Sequence, residues 1–142
     1  MKKLLIILLF PLTLQAQNWE PVKAIVFLGG SIVCEAIADG MYDNGNKVPA
    51  HFMGAAATGL LLTYPIIQKR CDTEPFWAIP AYISFRIALF DPIYNTTRGL
   101  PLNYRGTTST WDNMVSKIDP GDGLIFARAV ILTFGIRITF EL

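Results

Sequence analysis

The sequence predicts an all-α protein: a small transmembrane helical bundle of about four spans, set behind a signal peptide and carrying one long interfacial loop. Three observations point there. Hydrophobic residues make up 52% of the chain and charged residues only 16%, against about 25% charged in an ordinary soluble domain. The apolar residues gather into runs and do not alternate as they would in a half-buried strand. Clusters rich in Pro, Gly, Asn and Asp separate those runs. A chain of 142 residues has room for one domain, which we place at residues 18–142. The formal net charge of +1 argues against nucleic acid as a partner, which would call for a basic patch or stripe.

Residues 1–17 read as a secretory signal. Lys2 and Lys3 give it a charged start, Leu4 to Leu14 an apolar core, and Ala16 a small residue before a cleavage point after Gln17. Pro11 interrupts a core already short for a bilayer; the alternative is a retained signal anchor. The first membrane helix is expected from Ala24 to Gly40, with Gly29, Gly30 and Ser31 small enough to let another helix approach. Glu35, Asp39 and Asp43 follow at a spacing of four and line one face of a continuing helix. Gly40 and the Asp43-Asn44-Gly45-Asn46 cluster then turn the chain.

A second helix is predicted from about Ala50 to Gln68, with Pro49 at its first turn. It holds the one histidine, His51, and the small-residue run Gly54 to Gly59. The third is predicted from Phe76 to Phe90, with Pro80 near its start, where the penalty is smallest. Phe76, Trp77 and Tyr82 suit the membrane interface. Asp91-Pro92 reads as the turn that opens a loop reaching Gly123, and the loop's Tyr94, Tyr104 and Trp111 suit the headgroup region. The fourth helix is expected from Leu124 to Phe140. Its end, Ile136 to Leu142, alternates apolar and polar like a barrel strand, but a barrel needs about eight of these or more. Cys34 and Cys71 show neither metal-type spacing nor a disulfide framework.

With the signal removed, Asn18 begins outside, so the 41–49 and 91–123 loops lie inside. They carry Lys47, Arg98, Arg105 and Lys117, against Lys23, Lys69 and Arg70 outside. That bias fits the positive-inside rule for a bacterial inner-membrane protein. The same arrangement brings Glu35, Asp39, His51, Arg86 and Arg128 to one side of the membrane, with the loop that carries Asp91, Asn95, Arg98 and Asp112. Ionisable groups within hydrocarbon face the bundle interior, where they pair or serve a function.

Four readings of this cluster follow. In the one we adopt, the acids pair with Arg86 or Arg128 and hold the bundle in register. In a second, Glu35, Asp39 and His51, with Asp91, hold zinc, manganese or magnesium and activate water for hydrolysis; neither an HExxH string nor a His pair at helical spacing accompanies them. In a third, Arg86, Arg98, Arg105 and Arg128 offer guanidinium donors to an anion or a phospholipid headgroup, helped by Gly99, Gly106 and the hydroxyls from Thr107 to Thr110. The fourth is a place among other membrane proteins in a larger assembly. The chain contains no phosphate loop, dinucleotide fingerprint or nucleophile elbow, and its residues name no cofactor.

A loop motif runs Arg86-x-x-x-Phe90-Asp91-Pro92-x-Tyr94-Asn95, then Arg98-Gly99-Leu100-Pro101, then Tyr104-x-Gly106-Thr107-Thr108-Ser109-x-x-Asp112. With Glu35-x-x-x-Asp39-Gly40 and the downstream His51, it resembles a pattern in small uncharacterised polytopic integral membrane proteins of bacteria and their phages. The resemblance covers most of the chain beyond residue 17. It implies membrane residence and singles out Tyr94, Gly99, Tyr104, Gly106, Ser109 and Asp112; it implies no activity. The resulting expectation is a polar cluster of Glu35, Asp39, His51, Arg86, Asp91 and Arg128, with residues 91–112 folded over it as a lid.

Overall fold

A computed structural model describes residues 19–68, 74–104 and 123–140. The described residues form four helices and no strand: α1 (Glu20–Asp43), α2 (Lys47–Ile67), α3 (Glu74–Thr97) and α4 (Gly123–Thr139). The expected signal at 1–17 lies outside them. The alternating tail does not become a strand where it is described, since α4 stays helical through Thr139.

α1 contains a five-residue π segment, Ile25–Gly29, whose wider turn keeps both Leu28 and Gly29 buried. It also runs past Gly40, where the sequence predicted its end. It stops a turn later with the hydrogen bonds that close a helix on a left-handed residue: Gly45 N–H to Tyr42 O at 2.9 Å and Asn46 N–H to Met41 O at 2.9 Å. Gly45 takes the positive φ of 82° that this closure needs.

α3 departs further from expectation. Asp91-Pro92 does not break it, and the helix continues to Thr97. An internal proline costs about 3 kcal/mol through a lost hydrogen bond and a ring clash, so neighbouring contacts must offset it. They come from the end of α1. Asn44 Nδ2 donates to Thr97 O at 2.9 Å, and the Tyr94 hydroxyl donates to Asp43. α3 then closes as α1 does, with Leu100 N–H to Asn95 O at 2.8 Å, Gly99 N–H to Thr96 O at 3.0 Å, and Gly99 at φ 71°.

The helices lie side by side in the order α2, α1, α3, α4, and the first turn of α1 also touches α4. The apolar core occupies one half of the molecule: Ala24, Leu28 and Ile32 of α1, Tyr64 of α2, Ala81 and Phe85 of α3, and Ile138 of α4. Phe85 fills the space beside Gly29 and Gly135. The closest approaches are at Gly40 and Gly135. A Cβ on Gly40 would stand 2.8 Å from Thr97 Cβ, and one on Gly135 would stand 2.8 Å from Ser84 Cβ. Gly29 and Gly30, the expected contact glycines, have only ordinary neighbours at 3.9 and 3.4 Å.

Among the described residues, two helices are long and apolar enough to cross a membrane: α1, with 24 residues and mean hydropathy 1.7, and α2, with 21 residues and mean hydropathy 1.3. At 1.5 Å per residue they reach about 36 and 32 Å, against about 30 Å of hydrocarbon. α2 packs chiefly on α1 and is otherwise exposed. Phe52 is 74% and Ile66 80% accessible, and Phe126 on α4 is 75% accessible.

Candidate functional site

The half of the molecule opposite the core is polar. Glu35, Asp39 and Asp43 stand one turn apart along α1, and Arg86, Phe90 and Tyr94 stand one turn apart along α3, with Arg98 just past its end. The two rows face each other. Glu35 and Arg86 form an ion pair. The Arg86 guanidinium also lies over the Phe90 ring, 3.7 Å from its centroid. Phe90 stacks on Tyr94 at 6.0 Å and 9°, and Arg98 covers the other end of the row, 5.5 Å from the Tyr94 centroid. The Tyr94 hydroxyl donates a hydrogen bond to Asp43 and accepts one from Arg98 Nη1 at 3.0 Å. That guanidinium lies 3.8 Å from Asp43. The result is a pair of stacked rings with a guanidinium at each end, fastened at both ends by acids of α1.

Between α3 and α4 a second link forms. Arg128 Nη2 donates to Asp91, and the Arg128 side chain is only 13% exposed. Arg128 therefore pairs with an acid of α3 and not, as the sequence reading allowed, with one of α1. Its Nε and Nη1 are buried without a hydrogen-bond partner. Arg128 is also one of the residues lining an open groove of about 200 Å³ between α3, α4 and residues 102–104.

The expected six-residue cluster thus divides. Glu35 with Arg86 and Asp91 with Arg128 are separate pairs. Asp39 sits exposed between Glu35 and Asp43, in a cleft it shares with Phe90 and Tyr94. His51 stands across a second cleft from Asp39, edge-on to the Tyr42 ring at 6.2 Å. Among the described residues, no three His, Cys, Asp or Glu side chains come together to hold a metal ion. Glu35, Asp39 and His51 are therefore not assembled as a ligand set, because Glu35 turns to Arg86 and His51 to Tyr42.

Asn95 also differs from expectation. It lies on α3, 3% exposed, and its amide donates to Tyr104 O at 2.8 Å and to Leu102 O at 3.4 Å. That folds residues 102–104 back against the helix. Of the expected lid, residues 91–97 are helix and Gly99 is its closing residue. Arg105, Gly106, Thr107, Ser109 and Asp112 lie outside the described residues, as do Cys71 and Lys117. Asn95→Ala should remove both tethers and destabilise the fold by about 1–3 kcal/mol. Amide exchange at Tyr104, whose N–H donates to Pro101 O at 2.9 Å within the tethered turn, should accelerate; unchanged exchange there would contradict the assigned role.

The sequence reading missed Phe90, Thr97, Asn44 and Gly135 as contact residues. The signal for the first was present: Arg86, Phe90, Tyr94 and Arg98 repeat every four residues, the same period as the acids of α1. Comparison of the chain with known protein families, with curated proteins and with solved structures finds no match.

Proposed function

We propose that this chain is a four-span integral membrane protein of a bacterial inner membrane, following a signal at residues 1–17. Its paired charges fasten the helices in register and hold a fixed polar platform at one membrane face. Its partners are the bilayer itself and, at the platform, phospholipid headgroups or other membrane proteins. One observation carries the reading: large apolar side chains lie on the outer surface as well as in the core. Large apolar side chains point outward on every helix, including Val26 on α1, Phe52 and Ile66 on α2, Ile79 and Ile83 on α3, and Phe126 and Phe134 on α4. The arginines of the polar half are turned onto acids of neighbouring helices.

In water such an exterior would drive association. In hydrocarbon it is well solvated, and unpaired charge is what is excluded, at about 2.5–3.5 kcal/mol for an Asp, Lys or Arg at a helix centre. Arg86 and Asp91 would each oppose insertion of α3, and each is offset by a partner on another helix. α3, with 24 residues, is long enough to cross at about 36 Å. α4, with 17, reaches about 26 Å and needs local thinning of the bilayer.

A charge exchange tests the pairing. Glu35→Arg alone and Arg86→Glu alone should each sharply reduce the protein recovered in the membrane fraction, and the double exchange should restore most of it. A double variant as poor as either single would remove the fastening role.

A further inference from the structure

We infer that the outward face of α2 pairs with the same face of a second copy of this chain, the two α2 helices running parallel. The inference rests on the membrane reading above, because copies inserted in one orientation can meet only in parallel.

The two sides of α2 have different tasks. The side turned to α1 buries Ala50, Ala57 and Tyr64. The opposite side carries Val48, Phe52, Ala55, Gly59, Leu62 and Ile66, spaced alternately four and three residues apart along the whole helix and all exposed. That spacing keeps one seam of a helix against a partner helix as the two coil. No charge interrupts the seam. Lys47, the one formal charge of α2, lies over the Tyr42 ring of α1, and His51 stands edge-on to the same ring.

Gly59 indicates a helix against this seam. Gly40 and Gly135 each serve a close approach inside the chain, where a Cβ would stand 2.8 Å from a neighbour. Gly59 has nothing within 4 Å, so the helix propensity it costs, about 0.5–1 kcal/mol, is not offset by any contact of the single chain. Small residues at a crossing let membrane helices approach backbone to backbone, and such an approach from outside would offset it. Along the seam the side chains run large, small, large, a profile that fits itself across a two-fold axis. Ala55 and Gly59 meet their counterparts where the helices cross, and the larger side chains fill the gap that widens on either side. The area is sufficient. Val48, Phe52, Leu62 and Ile66 are 63–80% exposed. With Ala55 and Gly59 they offer about 600 Å² per copy, so a pair buries up to about 1,200 Å², above the ~1,000 Å² expected of a specific interface.

The test uses the full chain in the membranes of the cells that express it, in a background without Cys34 and Cys71. Ala55→Cys, Leu61→Cys, Leu62→Cys and Phe126→Cys are oxidised separately, and the rate at which disulfide-linked dimer forms is read by gel and by mass. Ala55→Cys and Leu62→Cys should cross-link at least tenfold faster than Leu61→Cys, one residue off the seam, and Phe126→Cys, 75% exposed on α4. Adding Gly59→Leu, which the single chain accommodates because nothing lies near a Cβ there, should slow the Ala55→Cys reaction tenfold or more. Equal rates at 61 and 62, an unchanged rate with Gly59→Leu, or a cross-linked product of any mass other than twice the chain's would overturn the pairing. The two readings fail separately: an integral chain without selectivity along α2 removes the pair alone, and a chain in the soluble fraction that keeps the selectivity removes the membrane reading alone.

Discussion

Replacing Arg128 with Met should destabilise the protein by about 1–3 kcal/mol, less than the cost of breaking a fully buried ion pair on one side. The Arg128 side chain is 13% exposed and its partner Asp91 is 35% exposed, so the carboxylate left behind keeps part of its solvent contact. The loss is the penalty of that stranded charge and not the net worth of the pair. Asp91→Asn combined with Arg128→Met should therefore recover most of it, since two neutral groups replace a pair whose own desolvation was unfavourable. Reversible unfolding in mixed detergent measures both. By contrast, Lys23 and Glu20 pair within one turn at the start of α1, a geometry worth about 0.2–0.5 kcal/mol. An Arg128→Met loss no larger than that would mean that Asp91 is not held as described.

The second large effect is at Gly40, where the sign opposes helix propensity. In an open helix, Gly to Ala stabilises by about 0.5–1 kcal/mol. At Gly40 the added Cβ meets Thr97 Cβ at 2.8 Å, Thr97 Cγ2 at 2.9 Å and the Tyr94 carbonyl oxygen at 3.2 Å. The neighbours include backbone, so α1 and α3 must move apart, and overpacking of this kind costs about 1–3 kcal/mol. The separation would also strain the Glu35–Arg86 and Asp43–Tyr94 contacts on either side. Gly40→Ala is expected to lower the thermal midpoint in detergent. Gly59→Ala, with nothing within 4 Å of its Cβ, should raise it slightly. Equal shifts in the two variants would refute the close approach.

Much of this architecture is legible in the sequence because hydrophobic runs and turn residues are local signals. Four helices lie where the apolar runs predict them, and Gly45 and Gly99 close helices by a geometry that their neighbours do not disturb. The errors come where tertiary contact outweighs a local signal. Asp91-Pro92 reads as a turn, yet contacts from Asp43 and Asn44 carry α3 through it. Reading Tyr94 and Asn95 as loop residues then hid the four-residue row that faces the acids of α1. Gly40 reads as a helix end, yet it is a packing position whose partner, Thr97, is far away in sequence. Glu35, Arg86, Asp91 and Arg128 are legible as charged residues in or beside the apolar runs. Their pairing was not legible, because which acid meets which arginine depends on helix rotation, and composition does not encode rotation.

Cysteine accessibility decides whether the four helices cross a bilayer with the polar half at one face. In a background without Cys34 and Cys71, single cysteines at Trp19, Asn46, Phe76 and Leu102 are exposed to a membrane-impermeant maleimide in intact cells and after lysis. Labelling at 19 and 76 is expected in intact cells, with protection at 46 and 102 until the cells are opened. Positions 46 and 102 on opposite sides, or a chain recovered in the soluble fraction, would contradict it.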